Sequence, residues 1–318
     1  MGGLYFPCVP RIHLLTVGEA FQDLVFAGLP RLPRDGEELR TMAFASTIGG
    51  GAVITAVAAS RLGLRCAIVS ALSQDAAGAL RREKVRIVNV KRPHEAPAVS
   101  VSLSTKRDRS FVTFNGVNDQ LEARLPRAIA GLRARHVHFA FAPRDCARWT
   151  RIAAAMRADE VTTSWDFGWN PPLRRAAGFR ALLRSADFIF VNEAEASLYA
   201  LSRSNTIVKL GSKGSRWIGG ARRLQPSDQL SDLFAPAPRA RVVDTTGAGD
   251  AFNAGFLVAF LTGRKPIDCL RAGNLAGAHS TEALGGLAGL PSRSAALQGC
   301  PPAVGKPEGL RDAKAGHR

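Results

Sequence analysis

The sequence predicts an α/β fold with a mostly parallel central sheet, from three observations. From Ala134 to Leu210, strand-like and helix-like segments alternate, which implies parallel strands joined by helical crossovers. Leu39–Phe44, Val99–Leu103 and Phe111–Phe114 are short strand-like runs that suit a separate small sheet. Val242–Leu257, VVDTTGAGDAFNAGFL, passes from an apolar pair through a glycine turn into an apolar helix.

The chain has 318 residues, 46% of them hydrophobic. That is enough for one large α/β domain or two medium ones. Lys+Arg 43 against Asp+Glu 26 gives a formal charge of +17. Such a balance suits anionic partners. However, the arginines are scattered through Arg124–Arg135, Arg144–Arg157 and Arg174–Arg184 rather than gathered into basic patches interleaved with aromatic residues. We therefore expect no nucleic acid as partner, while a phosphate-bearing substrate remains compatible. The five cysteines (Cys8, Cys66, Cys146, Cys269, Cys300) form no CxxC and no metal-ligand spacing. They read as thiols of a reducing compartment. There is no basic region followed by a long apolar core at the start, and no apolar run long enough for a bilayer. The expectation is a cytoplasmic protein with no membrane partner.

In chain order, Met1–Pro10 reads as a lead-in. Ile12–Val17 is a strand that continues through a polar break to Val25. Asp23, at the far end, is either a turn carboxylate or a hydroxyl-binding group at a sheet's edge. Pro30–Glu37 makes a turn into Leu39–Ser46. Gly49, Gly50 and Gly51 precede a helix over Val53–Leu62. Glycines there admit a ligand to the backbone or a close helix contact. Ala67–Leu72 is a strand, followed by a short helix through Leu80. Lys106-Arg107-Asp108 turns between the two later strands of the small sheet.

The alternating region then reads His136–Phe141 strand, Ala147–Arg157 helix, Thr162–Phe167 strand, and a helix ending at Ala181–Leu183. Phe188–Val191 strand, Ala194–Leu201 helix and Thr206–Leu210 strand complete it. His136 and His138 share one strand face and, with no third ligand nearby, read as packing residues. Asn192 with Glu195 three residues on has the form of a capping box. Pro266–Ala283 is helical, and from Gln298 glycine, proline and charge predict a disordered tail.

The glycine turn carries the chemistry. Arg241-Val242-Val243 reads as the end of a buried strand or its exit. Gly247-Ala248-Gly249 then brings free backbone N–H groups to a helix start, an anion site. Asp250 does not suit a mere phosphate cradle, because a carboxylate repels phosphate. It suits phosphoryl transfer, where a group must accept the proton of the attacking hydroxyl. By themselves, Gly-Ala-Gly is also a tight turn and Asp250 an early-helix carboxylate favoured by the dipole.

The whole string closely resembles the C-terminal signature of the PfkB (ribokinase-like) family of carbohydrate and nucleoside kinases. GGGAVITAVAASRLG resembles that family's N-terminal signature, and the likeness spans roughly residues 12–297. The resemblance implies a three-layer α/β/α domain with a small β-sheet lid, from segments roughly 24–48 and 97–118. It implies transfer of the ATP γ-phosphoryl group to a hydroxymethyl group of a sugar or sugar acid, with Mg²⁺ on the phosphates. A monovalent cation and a homodimer formed through the lid also fall within what it implies.

By residue, the resemblance makes Asp250 the base and the backbone of Gly247, Ala248, Gly249 and Asp250 the anion hole. Asp23, Gly49, Gly50, Ile54, Asn118 and Asp166 fall at acceptor positions. Asn192, Lys209, Gly211, Gly214, Thr246 and Asn274 fall at ATP positions. Glu195 falls in the magnesium–phosphate network. DFGWN is a loosened form of the family's Asp-Pro-Asn element. Ile54 departs from the family's Asn, and an apolar side chain facing the acceptor would change which substrate fits. A nucleoside kinase of the same family, and a member that only binds a ligand or partner, are the rival readings. No GxxxxGK[ST] and no complete GxGxxG after a strand occur.

Overall fold

Cys66–Ser70 is buried along its whole length, the pattern of a strand covered on both faces. It belongs to a nine-stranded sheet that forms the middle layer. In the computed structural model, residues 12–105, 109–201, 206–218 and 232–292 are described. The expected lead-in 1–10, the turn Lys106–Asp108 and the tail 298–318 lie outside them.

The large sheet contains β1 (Ile12–Gly18), β4 (Cys66–Ser70), β5 (Arg86–Asn89), β8 (Ala134–Ala140), β9 (Thr162–Asp166), β10 (Phe188–Asn192), β11 (Thr206–Lys209), β12 (Ser215–Ile218) and β13 (Leu233–Ala235). Its order is β13-β12-β11-β10-β9-β8-β1-β4-β5. All pairings are parallel except those of β12, which runs antiparallel to β11 and β13. Leu15 lies between Ala67 of β4 and Val137 of β8. The chain leaves β1 towards β4 and β5, then returns to build outward from β8. The β1/β8 junction is therefore the switch point, where open parallel sheets place ligands beyond the strand ends.

The small sheet has the order β3-β2-β6-β7, from β2 (Phe21–Leu29), β3 (Ala43–Gly49), β6 (Val99–Thr105) and β7 (Arg109–Phe114). The reading of Ile12–Val25 as one interrupted strand is corrected here. Gly18 still pairs with Ala140 in the large sheet, whereas Phe21 pairs with Gly49 in the small one. Both halves are apolar, and hydrophobicity carries no record of which sheet a strand joins.

Two apolar layers sandwich the large sheet. On one side α1 (Gly51–Arg61), α2 (Gln74–Arg82), α7 (Ala248–Leu261) and α8 (Pro266–Ser280) bury Val57, Ile68, Phe190, Phe256 and Leu270. On the other, α3 (Leu121–Ile129), α4 (Cys146–Ala158), α5 (Phe179–Ser185) and α6 (Glu193–Tyr199) cover Phe139, Trp149 and Trp165. Phe139 and Trp165 stack with centroids 4.4 Å apart. The expected helices are present, each displaced by a few residues at its ends.

The helix of the glycine signature is buried nearly all round, with Ala251, Ala254, Phe256 and Leu257 inaccessible. Of the two expectations for Arg241–Val243, the end of a buried strand is not met. Val242 and Val243 are irregular and 62% and 55% exposed, and the Val243 amide donates to Thr281 O at 2.7 Å. Two valines cannot make a strand where no neighbouring strand accepts their hydrogen bonds. Gly255 lets α7 approach α8. A Cβ there would overlap Ala272 O and stand 2.8 Å from Ala276 Cβ. Gly255→Ala should therefore force the helices apart and destabilise the fold by about 1–3 kcal/mol, read as a lower denaturation midpoint in guanidinium.

Candidate active site

Helix α7 begins at a residue that only glycine suits. Gly247 has φ 75°, and a Cβ there would stand 2.7 Å from Ile54 Cδ1. The first bond of the helix runs from Ala251 N to Gly247 O. Ala248 N turns back to Thr245 O, so the Gly249 and Asp250 amides precede any helical acceptor. Asp244 holds the entry to this turn. Its Oδ1 accepts from Thr246 N at 2.9 Å and Thr246 Oγ1 at 2.8 Å, and its Oδ2 from Gly285 N at 2.8 Å.

Two carboxylates stand on the glycine run that precedes α1. Asp23 reaches over Gly49, where any Cβ would overlap its carboxyl group. Asp250 lies against Gly51, its Oδ1 2.9 Å from where a Cβ would be. Thr55 ties the two helix starts together by donating to Asp250 O at 3.2 Å. Burial pushes Asp23 up to about 7, with help from Asp244. Burial likewise pushes Asp250 up to about 7, reinforced by Asp166, Glu195 and Asp23 and opposed by Lys209.

Beneath the turn lies a compact polar cluster at the carboxyl ends of three adjacent strands. Asp166 ends β9, Asn192 ends β10 and Lys209 ends β11. Lys209 Nζ donates to Asp166 Oδ2 at 2.7 Å, and Asn253 Nδ2 donates to the same oxygen at 2.8 Å. The ammonium passes directly below Gly249, 3.1 Å from where its Cβ would be. Burial opposes ionisation of Asp166, but Lys209 and Asn253 outweigh it and hold the carboxyl below its usual range. Burial also opposes the Lys209 charge, and Asp166, Glu195 and Asp250 together reverse that, raising it. Glu195 is raised, by burial and then by Asp166. It closes a capping box: Asn192 N donates to Glu195 Oε2 at 2.9 Å, and Glu195 N to Asn192 Oδ1 at 2.8 Å.

Asp23, Gly49, Gly50, Asp166, Glu195, Lys209 and Gly247–Asp250 thus gather round one point. Gly211 and Gly214 make a turn after β11, closed by Leu210 N to Gly214 O at 2.8 Å, and Gly214 lies against Ala235. Asn274 sits on the same side, its amide donating to Ala235 O at 2.9 Å and Pro236 O at 3.2 Å. Asn118 stands at the opposite end and donates to Ala20 O at 3.2 Å. Asn170 caps the turn after β9 by accepting from Leu173 N at 3.1 Å.

The expectation that Ile54 faces the acceptor is corrected. Ile54 is 2% exposed, and its side chain fills the space under Gly247 and against Gly286. An apolar residue in the first turn of α1 gains more from packing under the glycine turn than from solvent. Asn253 and Asp244 escaped the sequence reading. Asn253 lies three residues beyond Asp250 in an otherwise apolar helix, a spacing that puts both on one face. His136 and His138 share Ser164 Oγ, at 2.7 and 2.8 Å, inside the sheet layer.

A model of the pfkB family carbohydrate kinases matches residues 11–293. The chain belongs to that family. A ribokinase of Arabidopsis thaliana is 26% identical over 317 residues, covering 90% of this kinase and 80% of that protein. An acarbose 7(IV)-phosphotransferase of an Actinoplanes species is 27% identical over 304 residues, covering 90% and 97%. A solved ribokinase of Giardia lamblia superposes with a TM-score of 0.75 at 19% identity, covering 90% and 99%. The kinase is accordingly a phosphotransferase with an alcohol acceptor, and the large parallel sheet with its small antiparallel-edged companion is the ribokinase-like fold.

Lys209 is the one cation that the described cluster sets against Asp166, Glu195 and Asp250. Lys209→Met should leave Asp166 buried without its counter-charge, a loss of about 3–5 kcal/mol in chemical denaturation. Asp166→Asn added to Lys209→Met should restore part of it. Equal stability of wild type and Lys209→Met would mean that the pair carries no structural weight.

Proposed function

We propose that this kinase transfers the γ-phosphoryl group of ATP to a hydroxymethyl group of a sugar-like acceptor, with Asp250 as the base. The observation that carries the reading is a carboxylate, Asp250, beside the Gly249 and Asp250 amides that precede the first helical bond of α7. In this reading the acceptor hydroxyl sits over Gly49–Gly51, between Asp23 and Asp250. Asp23 accepts a hydrogen bond from a neighbouring hydroxyl and sets the ring's orientation. Asp250 takes the proton as the oxygen attacks phosphorus. The Gly249 and Asp250 amides face the charge on the transferred group, and Lys209 lies below them. Asn192, Thr246, Gly211, Gly214 and Asn274 belong to the nucleotide side, the last four through the backbone they shape.

Three carboxylates around one lysine leave the cluster rich in hard oxygen donors, which suits Mg²⁺. Among the described residues no three ligating side chains are placed to hold a metal by themselves. Glu195 would help to hold Mg²⁺ on the nucleotide side of the site, where the ion would supply positive charge against the phosphates. The small sheet of the lid would close over the acceptor and keep water from competing as phosphoryl acceptor.

We propose a second copy of the chain as the partner of that lid. Phe44 on β3 and Val112 and Phe114 on β7, which the strand register places on one face of the small sheet, are 53%, 66% and 59% exposed, an apolar surface that a monomer would leave wet. Light scattering should return twice the chain mass, and Val112→Lys should shift it to the single-chain mass. A wild-type monomer at working concentration would overturn this.

Asp250→Asn should lower turnover by about 10²–10⁴ while ATP still binds. The wild-type kcat/KM for the acceptor should rise with pH through a midpoint near 7, since Asp250 accepts a proton only when ionised. Near-normal turnover in the Asn variant, or a profile flat across neutral pH, would remove Asp250 from this role.

A further inference from the structure

A cavity of about 550 Å³ opens beside the proposed acceptor position, at the carboxyl ends of β1, β8 and β9. Glu19, Asn118, Asp119, Phe167 and Trp169 are among its walls, but Asp250 is not. It adjoins the proposed site through the backbone. The Glu19 carbonyl abuts Gly50, Phe167 follows Asp166, and Asn118 holds Ala20 O. It therefore lies at the switch-point crevice, where the part of an acceptor remote from its reacting hydroxyl would extend.

We propose that this cavity binds the distal part of the acceptor and selects an amine-bearing polyol, an amino sugar or aminocyclitol, with Glu19 receiving the ammonium. The inference rests on the acceptor placement given above and names the substrate class of that same site.

Among the described residues, two acceptors of the wall lack a donor, Glu19 at its surface and the Asn118 Oδ1 buried just beneath it. Asn118 is 7% exposed, and its Oδ1 has no partner among the described residues. Glu19 makes no side-chain hydrogen bond or ion pair among the described residues, although burial and the Asp119 charge push its carboxyl up. The neighbouring carboxylates are already engaged. Glu122 accepts from Arg144 N, Asp145 N and Trp149 Nε1 at 2.8, 3.1 and 2.9 Å. Asp119 accepts from Asn115 Nδ2 at 3.0 Å and pairs with Arg144 at 3.6 Å.

A buried acceptor without a donor is costly, and a ligand that donates removes that cost. An ammonium or hydroxyl group only has to donate here. A nucleobase edge would bring acceptors of its own against Glu19 and Asn118. Three carboxylates, Glu19, Asp119 and Glu122, face one guanidinium, Arg144. The balance opposes the carboxylate of a sugar acid and favours a cation. Trp169, 62% exposed on the wall, offers a flat face to a polyol ring or to the ammonium.

The test is equilibrium binding by titration calorimetry, run beside ATP-dependent ADP release. Glucosamine, glucose, glucuronate and adenosine serve as probes with wild type, Glu19→Gln and Arg144→Ala. Glucosamine should bind wild type more tightly than glucose. Glu19→Gln should lower the glucosamine-over-glucose affinity ratio by about tenfold or more. Arg144→Ala, at a side chain that is 75% exposed, should raise that ratio by removing the opposing charge. Tighter binding of glucose, glucuronate or adenosine, no detectable glucosamine binding, or a ratio unmoved by both variants would overturn the inference. Glucosamine binding with this pattern but no ADP release would uphold the subsite and overturn the proposed reaction instead.

Discussion

The Lys209 ammonium beneath the start of α7 is the interaction on which the site depends. It lies within 2.7 Å of Asp166 Oδ2, under Gly249, and within the field of Glu195 and Asp250. Buried carboxylates at the ends of β9 and the start of α7 would otherwise repel each other in a poorly solvated space. One cation offsets the nearest of them fully and the others in part. Asp166 accordingly stays below its usual range while Asp250 rises to about 7. The same charge that holds the strand ends together thus leaves Asp250 poised near neutrality.

Close backbone approach is the second constraint. Gly49 and Gly51 leave room for Asp23 and Asp250, Gly247 for Ile54, and Gly255 for α8. The first three of those glycines sit where β3 of the small sheet, α1 and the start of α7 meet. Asp244 links the entry to α7 with the turn after α8 by bonding both to Thr246 and to Gly285. The glycine turn before α7 is therefore clamped from both sides, which limits how far its amides can relax.

The switch-point crevice adds the third element. Its floor is apolar, with Phe141, Phe167 and Leu173, and its walls carry Glu19, Asp119 and Glu122. In a chain with a formal charge of +17, a cavity walled by three carboxylates is a local reversal of sign. Overall charge therefore says little about the acceptor, because neighbouring groups dominate at short range.

The sequence by itself determined the α/β class, the order of nearly all strands and helices, and the glycine turn with its carboxylate. Those features are local: periodicity, a glycine turn and a capping box each depend on residues within a few positions. It did not determine that the chain changes sheets at Glu19-Ala20, because both halves of that run are equally apolar. Nor did it reveal that Val242 and Val243 lack a strand partner, that Ile54 turns under Gly247, or that Lys209 joins Asp166 and Asn253. Each depends on a neighbour distant in sequence, 195 residues away for Thr55 and Asp250 and 87 for Asn253 and Asp166. Only the folded sheet, by bringing its carboxyl ends to one edge, decided which of the polar residues became one electrostatic unit.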